Sequence, residues 1–346
     1  MNFSKNVTNW YSENKRDLPW RKTKNPYYIW LSEIILQQTQ VKQGLPYYLA
    51  FVDAFPNVFD LAKSSEDKVL KLWQGLGYYS RARNLHYTAK YIADELDGKF
   101  PNTYSEILKL KGVGDYTASA IASIAFNEPT AVVDGNVYRV LSRFFGINTP
   151  INSTQGIKEF KALATKLIDT KRPALFNQAI MEFGARQCKP KSPDCTICPI
   201  NTGCIALAKN KITELPVKLK KVKIRKRYFN YLVLIDSRKR TIIEKRIHKG
   251  IWQNLYQFPL IETNEPLDIS KFEAEVQKLE LLKRIDFDFS LYNEKAIVHK
   301  LSHQHLYTKF WIVEVSSELD SDVIISQLSN FPVPILISNF ISEFKY

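Results

Sequence analysis

Acidic side chains are the scarce class in this chain. Its 35 Asp and Glu stand against 49 Lys and Arg, a net charge of +14. That deficit favours a polyanionic partner, nucleic acid first. No run of about 18 apolar residues occurs, which argues against a membrane span and any membrane partner. Met1 to Trp10 are mostly polar, without an apolar h-region, so no secretory signal is expected. A cytoplasmic location follows, nucleoid-associated in a bacterium. Cysteine is missing outside positions 188–204, which rules out a disulfide framework spread along the chain. Internal repeats and low-complexity tracts are absent too, so neither a solenoid nor a disordered array is expected. What is present is length for two ordinary domains, with 13% aromatics to build their cores.

The first two hundred residues pattern as helices joined by short Gly/Pro turns. Val69–Trp73 runs into Gly75-Leu76-Gly77, Ile107–Lys111 into Gly112, and Val137–Phe145 into Gly146. In the last, Val137, Val140, Leu141, Phe144 and Phe145 follow the i, i+3, i+4, i+7, i+8 spacing of a buried face. Asp134 stands before it as a natural N-cap. Past Cys204 comes a basic stretch, Lys209 to Arg227, and then a change of period. Tyr228–Ile235 and Thr241–Lys245 pattern as a hairpin of strands, His305–Val315 as another strand, and Val323–Asn330 as a short helix. The expected fold is multidomain: an all-α domain over 1–212, a basic linker over 213–226, and a smaller α/β domain over 227–346.

Two constellations carry chemistry. Cys188, Cys195, Cys198 and Cys204 follow Cys-x6-Cys-x2-Cys-x5-Cys. Four thiolates match a zinc ion or a four-iron four-sulfur cluster, although structural zinc sites usually use two tight pairs and only Cys195–Cys198 is one. The second is Leu110-Lys111-Gly112-Val113-Gly114-Asp115-Tyr116-Thr117. A Gly-x-Gly turn between helices lets backbone approach a phosphate, and the next helix offers its free N–H groups there. Some twenty residues on stands Val132-Val133-Asp134-Gly135-Asn136-Val137. Glu33 lies inside the otherwise apolar helical stretch Ile29 to Leu36. Lining a pocket, it would be kept protonated by desolvation, as a general acid requires.

Hairpin, aspartate and four-cysteine loop in this order resemble the endonuclease III (helix-hairpin-helix-GPD) superfamily of DNA glycosylases, and within it the adenine DNA glycosylase (MutY) family. Leu18-Pro19-Trp20-Arg21, Trp30 to Gln40, Gly75 to Arg81 and Phe176-Asn177-Gln178-Ala179 carry the match. The resemblance implies that Glu33 protonates the departing adenine and that Asp134, ionised, stabilises or attacks the sugar cation. It places Tyr116 and Asn136 beside them as catalytic residues. Bifunctional relatives carry a lysine where Tyr116 stands, and a phenol cannot form a Schiff base, so the strand is expected to stay intact. Arg16, Trp20, Arg21, Leu36, Val41 and Gln178 would surround the extruded base, while Gln38 and Tyr78 would enter the gap beside the opposing base. Gly112, Gly114 and Lys111 would hold the DNA backbone. The cysteines would carry one 4Fe-4S cluster.

The C-terminal part resembles the Nudix-like domain of that family, best at Gly250 to Pro259. It lacks the glutamate run that holds magnesium in a working Nudix hydrolase, which excludes pyrophosphatase chemistry. Relatives meet 8-oxoguanine with a Phe-Ser-His loop. This chain has Leu301-Ser302-His303, so Ser302 keeps a hydrogen bond to offer while the stacking ring is gone. The expected partner is double-stranded DNA containing adenine opposite 8-oxoguanine or guanine, bound by a monomer in base excision repair. The rival expectations are a thymine or uracil mismatch glycosylase and a non-catalytic iron–sulfur DNA-binding protein.

Overall fold

The computed structural model describes residues 2–219, 224–283 and 285–345. The centre of the predicted linker, 220–223, lies outside the described residues. The chain divides into two compact units, one of residues 1–63 and 84–220, the other of 64–83 and 221–346. None of the described helices is long and apolar enough to cross a membrane.

The first unit is helical. It holds α1 (Phe3–Asn14), α2 (Pro26–Leu36), α3 (Val41–Ala54) and α4 (Val58–Lys63), while α5 (Glu66–Leu72) belongs to the second. There follow α6 (Ser80–Glu95), α7 (Tyr104–Ile107), α8 (Asp115–Phe126), α9 (Gly135–Phe145), α10 (Thr154–Leu167), α11 (Pro173–Arg186) and α12 (Ile205–Ala208). The helix expected over Ile107–Lys111 ends early: α7 closes at Ile107 and the chain turns through Leu108–Lys111. The face predicted on α9 is buried, with Val137, Val140 and Leu141 at most 1% exposed. Each such side chain contributes about 1.5–3 kcal/mol. They join Phe176, Ile180 and Phe183 of α11 and Val7 and Tyr11 of α1 in one core. This core sets α11 between α1 and α9, with α8 packed against both α11 and α2.

The second unit is built on a sheet of strand order β4-β1-β7-β5, with β6 also on β7. Its strands are β1 (Arg225–Ile235), β4 (Leu260–Thr263), β5 (Phe287–Leu291), β6 (Ile297–Lys300) and β7 (Gln304–Val315), while β2 (Glu244–Lys245) and β3 (Tyr256–Gln257) pair as a separate two-stranded sheet. Helices α13 (Ile269–Val276) and α14 (Ile335–Glu343) flank them in sequence, and Ile325–Asn330 is a 3-10 turn. The expected hairpin does not form. β1 runs parallel to β7 in full register and antiparallel to β4, while Glu244–Lys245 pairs with Tyr256–Gln257. Asp236 explains the diversion. Its carboxylate accepts from the N–H groups of Arg238, Arg240 and Leu319, closing the turn, and Thr241 N–H then donates to Val323 O. β1 also begins at Arg225, inside the span expected as linker.

Candidate active site

A cavity of about 160 Å³ opens among α2, α8, α9, α11 and the Pro19–Arg21 turn of the first unit. A pocket of roughly 150 Å³ holds a benzene ring, so this one suits a single planar heterocycle. Ten of the residues singled out from sequence line it: Arg16, Trp20, Arg21, Glu33, Leu36, Val41, Tyr116, Asp134, Asn136 and Gln178. Glu33 reaches it from the middle of α2, whose neighbouring side chains Ile29, Trp30, Leu31, Ile34 and Ile35 are all buried. Removed from water, its carboxyl is raised to about 7. A hydrogen bond from Tyr116 and the charge of Arg21 pull the other way, and the Asp134 charge adds to the rise. Burial pushes the Tyr116 phenol well up, and its oxygen lies 3.2 Å from Met181 Sδ. It stays protonated at physiological pH.

Asp134 lines the same cavity as the N-cap of α9. Its Oδ1 accepts from the N–H groups of Asn136 (2.9 Å) and Val137 (2.8 Å), and its Oδ2 from Asn136 Nδ2 (2.7 Å). Burial raises the carboxyl, while these donors and Arg139 oppose the rise. All three donors match the acceptor-only, ionised form, so the cap is built to hold a carboxylate. Asn136 is held in turn, its Oδ1 accepting from Arg139, whose guanidinium also donates to Gly184 O and Cys188 O. Gly184 permits this closeness: a Cβ there would lie 2.7 Å from that of Asn136. The segment leading to Asp134 is pinned by Asn177, which bridges Val132 N, Thr130 O and Ser123 Oγ, and by Lys161 on Ala131 O.

The third wall holds a residue that sequence reasoning missed. Glu182 is 1% exposed and takes Arg16 in a two-pronged pair at 2.7 and 2.6 Å, with Arg21 at 2.8 Å. Burial would raise this carboxyl, but the two guanidinium groups hold it at about 2. Its signal was present: an acid inside an apolar helix, four residues after Gln178 and so on the same face. Gln178 itself accepts a hydrogen bond from Tyr11 at 2.8 Å.

The hairpin and the cysteines lie elsewhere in the same unit. Gly112 has φ +82°, and a Cβ there would sit 2.7 Å from Asn84 Cβ. Gly114 is extended, with open space where a side chain would point and no side chain capping α8. The Lys111 ammonium lies 4.0 Å over the Tyr87 ring. Cys188, Cys195, Cys198 and Cys204 are free thiols lining one cavity with Val140, Phe144, Phe183, Ile200 and Leu207. Arg143 extends to Cys188 Sγ at 3.5 Å and ties Lys189 O and Pro190 O to α9. Among the described residues no group of three or more His, Cys, Asp or Glu is placed to hold a single metal ion, while four thiols with a largely apolar lining and the Arg143 guanidinium suit the chemistry of an anionic iron–sulfur cluster.

Gln38 is not in the base-sized cavity. It sits exposed just after α2 with φ +55°. Tyr78 and Ser302 meet in the second unit, hydroxyl to hydroxyl, on a separate cavity of about 370 Å³ shared with Arg83, Trp252, Leu301 and His303. Tyr78 is half exposed and held at φ +47°.

Residues 31–166 match the model of the HhH-GPD superfamily of base excision DNA repair proteins, and residues 230–343 match that of the NUDIX domain. An adenine DNA glycosylase of Buchnera aphidicola subsp. Baizongia pistaciae is 39% identical over 90% of this chain and 86% of its own length. One from Buchnera aphidicola subsp. Schizaphis graminum is 37% identical over 88% and 85%. Among solved structures, a thermostable thymine-DNA glycosylase is 30% identical with a TM-score of 0.56, covering 60% of this chain and 95% of its own. A non-covalent endonuclease III–DNA complex shares the fold at 22% identity and TM-score 0.53, over 60% and 94%. By likeness sustained through both units, the chain belongs to the adenine DNA glycosylase family of the HhH-GPD superfamily.

Proposed function

We propose that this protein is a monofunctional DNA glycosylase that hydrolyses the N-glycosidic bond of adenine paired with 8-oxoguanine, and with guanine, in duplex DNA. One observation carries the reading. A carboxyl raised to about 7 and a carboxylate held by three donors face one cavity sized for a single base. A carboxyl that can give a proton beside a second one held by hydrogen-bond donors is the general arrangement for cleaving a glycosidic bond.

The target adenine leaves the stack and enters the cavity. Glu33 gives its proton to the adenine ring, so the base departs neutral with the bonding electron pair. Asp134 stabilises the positive charge left on the deoxyribose, and water adds at that carbon, its proton passing to the Glu33 carboxylate left by the first step. Tyr116 has no amine with which to trap the sugar, so the product is an abasic site in an unbroken strand. Gly112, Gly114 and the bare N-terminus of α8 would hold backbone phosphates, with Lys111 beside them. In the second unit, Ser302 and Tyr78 would meet the lesion opposite. Cys188, Cys195, Cys198 and Cys204 would hold one 4Fe-4S cluster, which would fix the Lys189–Gly203 loop. The partner is DNA, the working form a monomer, and the place the compartment of the chromosome, cytoplasmic in a bacterium.

Single-turnover incubation with duplexes carrying A:8-oxoguanine, A:G, T:G and U:G tests this. Free adenine from the first two, with strand scission appearing only after alkali, is the expected result. Loss of thymine or uracil instead would overturn the assignment, favouring the mismatch chemistry of the thymine-DNA glycosylase neighbour. A broad visible absorption band reports the cluster; a colourless, zinc-containing protein contradicts it.

A further inference from the structure

Gln178 forms part of the wall between two hollows of the first unit. It lines the base-sized cavity with Glu33 and Asp134, and also a second hollow with Tyr11, Lys15 and Arg21. An amide carries one acceptor and one two-proton donor, so which end faces the base decides what it recognises. Tyr11 settles that. Its ring is buried under the packing of α1 on α11, and its hydroxyl donates to Gln178 Oε1 at 2.8 Å. Burial also raises the phenol above its ordinary value, so the proton is present throughout the working range. Were the amide turned over, the phenol would accept from it and leave its own proton without a partner. Leaving such a hydrogen bond unmade at a buried ring is disfavoured. The Gln178 NH2 has no protein acceptor among the described residues.

We infer that Tyr11 is a positioning residue for base recognition: it commits the Gln178 carbonyl outward so that the amide NH2 is presented to a ring-nitrogen acceptor of the extruded adenine. This rests on the assignment of the cavity to adenine. The same ring is braced from the other side, with the Arg21 guanidinium 5.4 Å from its centroid while Arg21 also pairs with Glu182. Tyr11 therefore links the amide to the guanidinium pair through one rigid side chain.

The test is a double-mutant cycle on single-turnover adenine release, with duplex affinity and thermal stability measured alongside. Tyr11→Phe keeps the ring and removes only the hydroxyl. It should slow release about fivefold while leaving duplex affinity within twofold, since one hydrogen bond is worth about 1 kcal/mol. In a Gln178→Ala background the same change should do nothing more, because the group it orients is gone. Gln178→Glu keeps an acceptor for Tyr11 but has no NH2, and should be at least as slow as Gln178→Ala. Equal effects of Tyr11→Phe in both backgrounds would overturn the inference, as would wild-type rates in Gln178→Glu. Should Gln178→Ala itself release adenine at the wild-type rate, the base contact underneath falls with it. If the wild-type protein releases no adenine, the cavity's assignment fails first, a result distinct from any of these.

Discussion

The two cavities differ in how much of their construction is finished before any ligand arrives. In the first unit Glu33 and Glu182 are buried and Asp134 is half-buried, and burial together with fixed neighbours acts on each carboxyl. In the second unit Tyr78 and Ser302 are exposed, and their hydroxyls hydrogen-bond to each other across loops. A transition state rewards preorganised charge in a desolvated site. On the proposed function the second cavity tells a lesion from an ordinary base, a task that exchangeable hydrogen bonds from two exposed hydroxyls would serve. Substitutions in the first cavity should therefore alter rate or folding, and those in the second only preference between mispairs.

The sharpest way to break this contrast is Glu33→Gln. It should lower single-turnover release about 10³-fold, the scale of a lost general acid, with duplex binding retained. It should also stabilise the fold. The carboxyl titrates near 7 folded against 4.5 for an unperturbed glutamate, so its ionisation opposes folding as pH rises between those values. At pH 8 the cost is on the order of 3 kcal/mol, absent at pH 4. The thermal midpoint of Glu33→Gln should accordingly exceed that of wild type at pH 8 and match it near pH 4.

Glu182→Gln comes next. It leaves two partly buried guanidinium groups without their carboxylate, a loss of about 3 kcal/mol readable by urea denaturation. Release should slow as well, since Arg16 and Arg21 form a wall of the same cavity. If stability is unchanged, Glu182 does not hold that wall. A milder effect is pH dependence. Wild-type release should fall tenfold per unit above about pH 7 as Glu33 loses its proton, and that descending limb should vanish in Glu33→Gln. Smallest of all, Ser302→Ala and Tyr78→Phe should each reduce the preference for 8-oxoguanine over guanine by about fivefold, the worth of one hydrogen bond. An equal slowing with both opposing bases would show that the second cavity serves catalysis and not discrimination.

Legibility in the sequence followed the same division. Glu33, the Asp134 cap and the Gly112 hairpin are local: a carboxylate breaks an apolar period, a cap precedes a helix, a glycine takes a left-handed turn. Each carries its signal within a few neighbours. Glu182 meets guanidinium groups from a distant segment, and Arg139 reaches the carbonyls of Gly184 and Cys188, 45 and 49 residues on, so nothing near either announces these partners. The strand error has the same origin. β1 and Thr241–Lys245 look like a hairpin because they are adjacent, yet β1 pairs with β7 some 80 residues away, following the closure of Asp236 on Leu319 N–H. Leu301 was legible as a departure from the Phe-Ser-His pattern, whereas the pairing of its neighbour Ser302 with Tyr78 joins residues 224 positions apart.

The most direct test of the central claim is single-turnover adenine release from an A:8-oxoguanine duplex by wild type and Glu33→Gln at pH 6. Rapid release by the first and near-complete loss in the second, both binding the duplex equally, is the predicted result. Release by Glu33→Gln at the wild-type rate would contradict it.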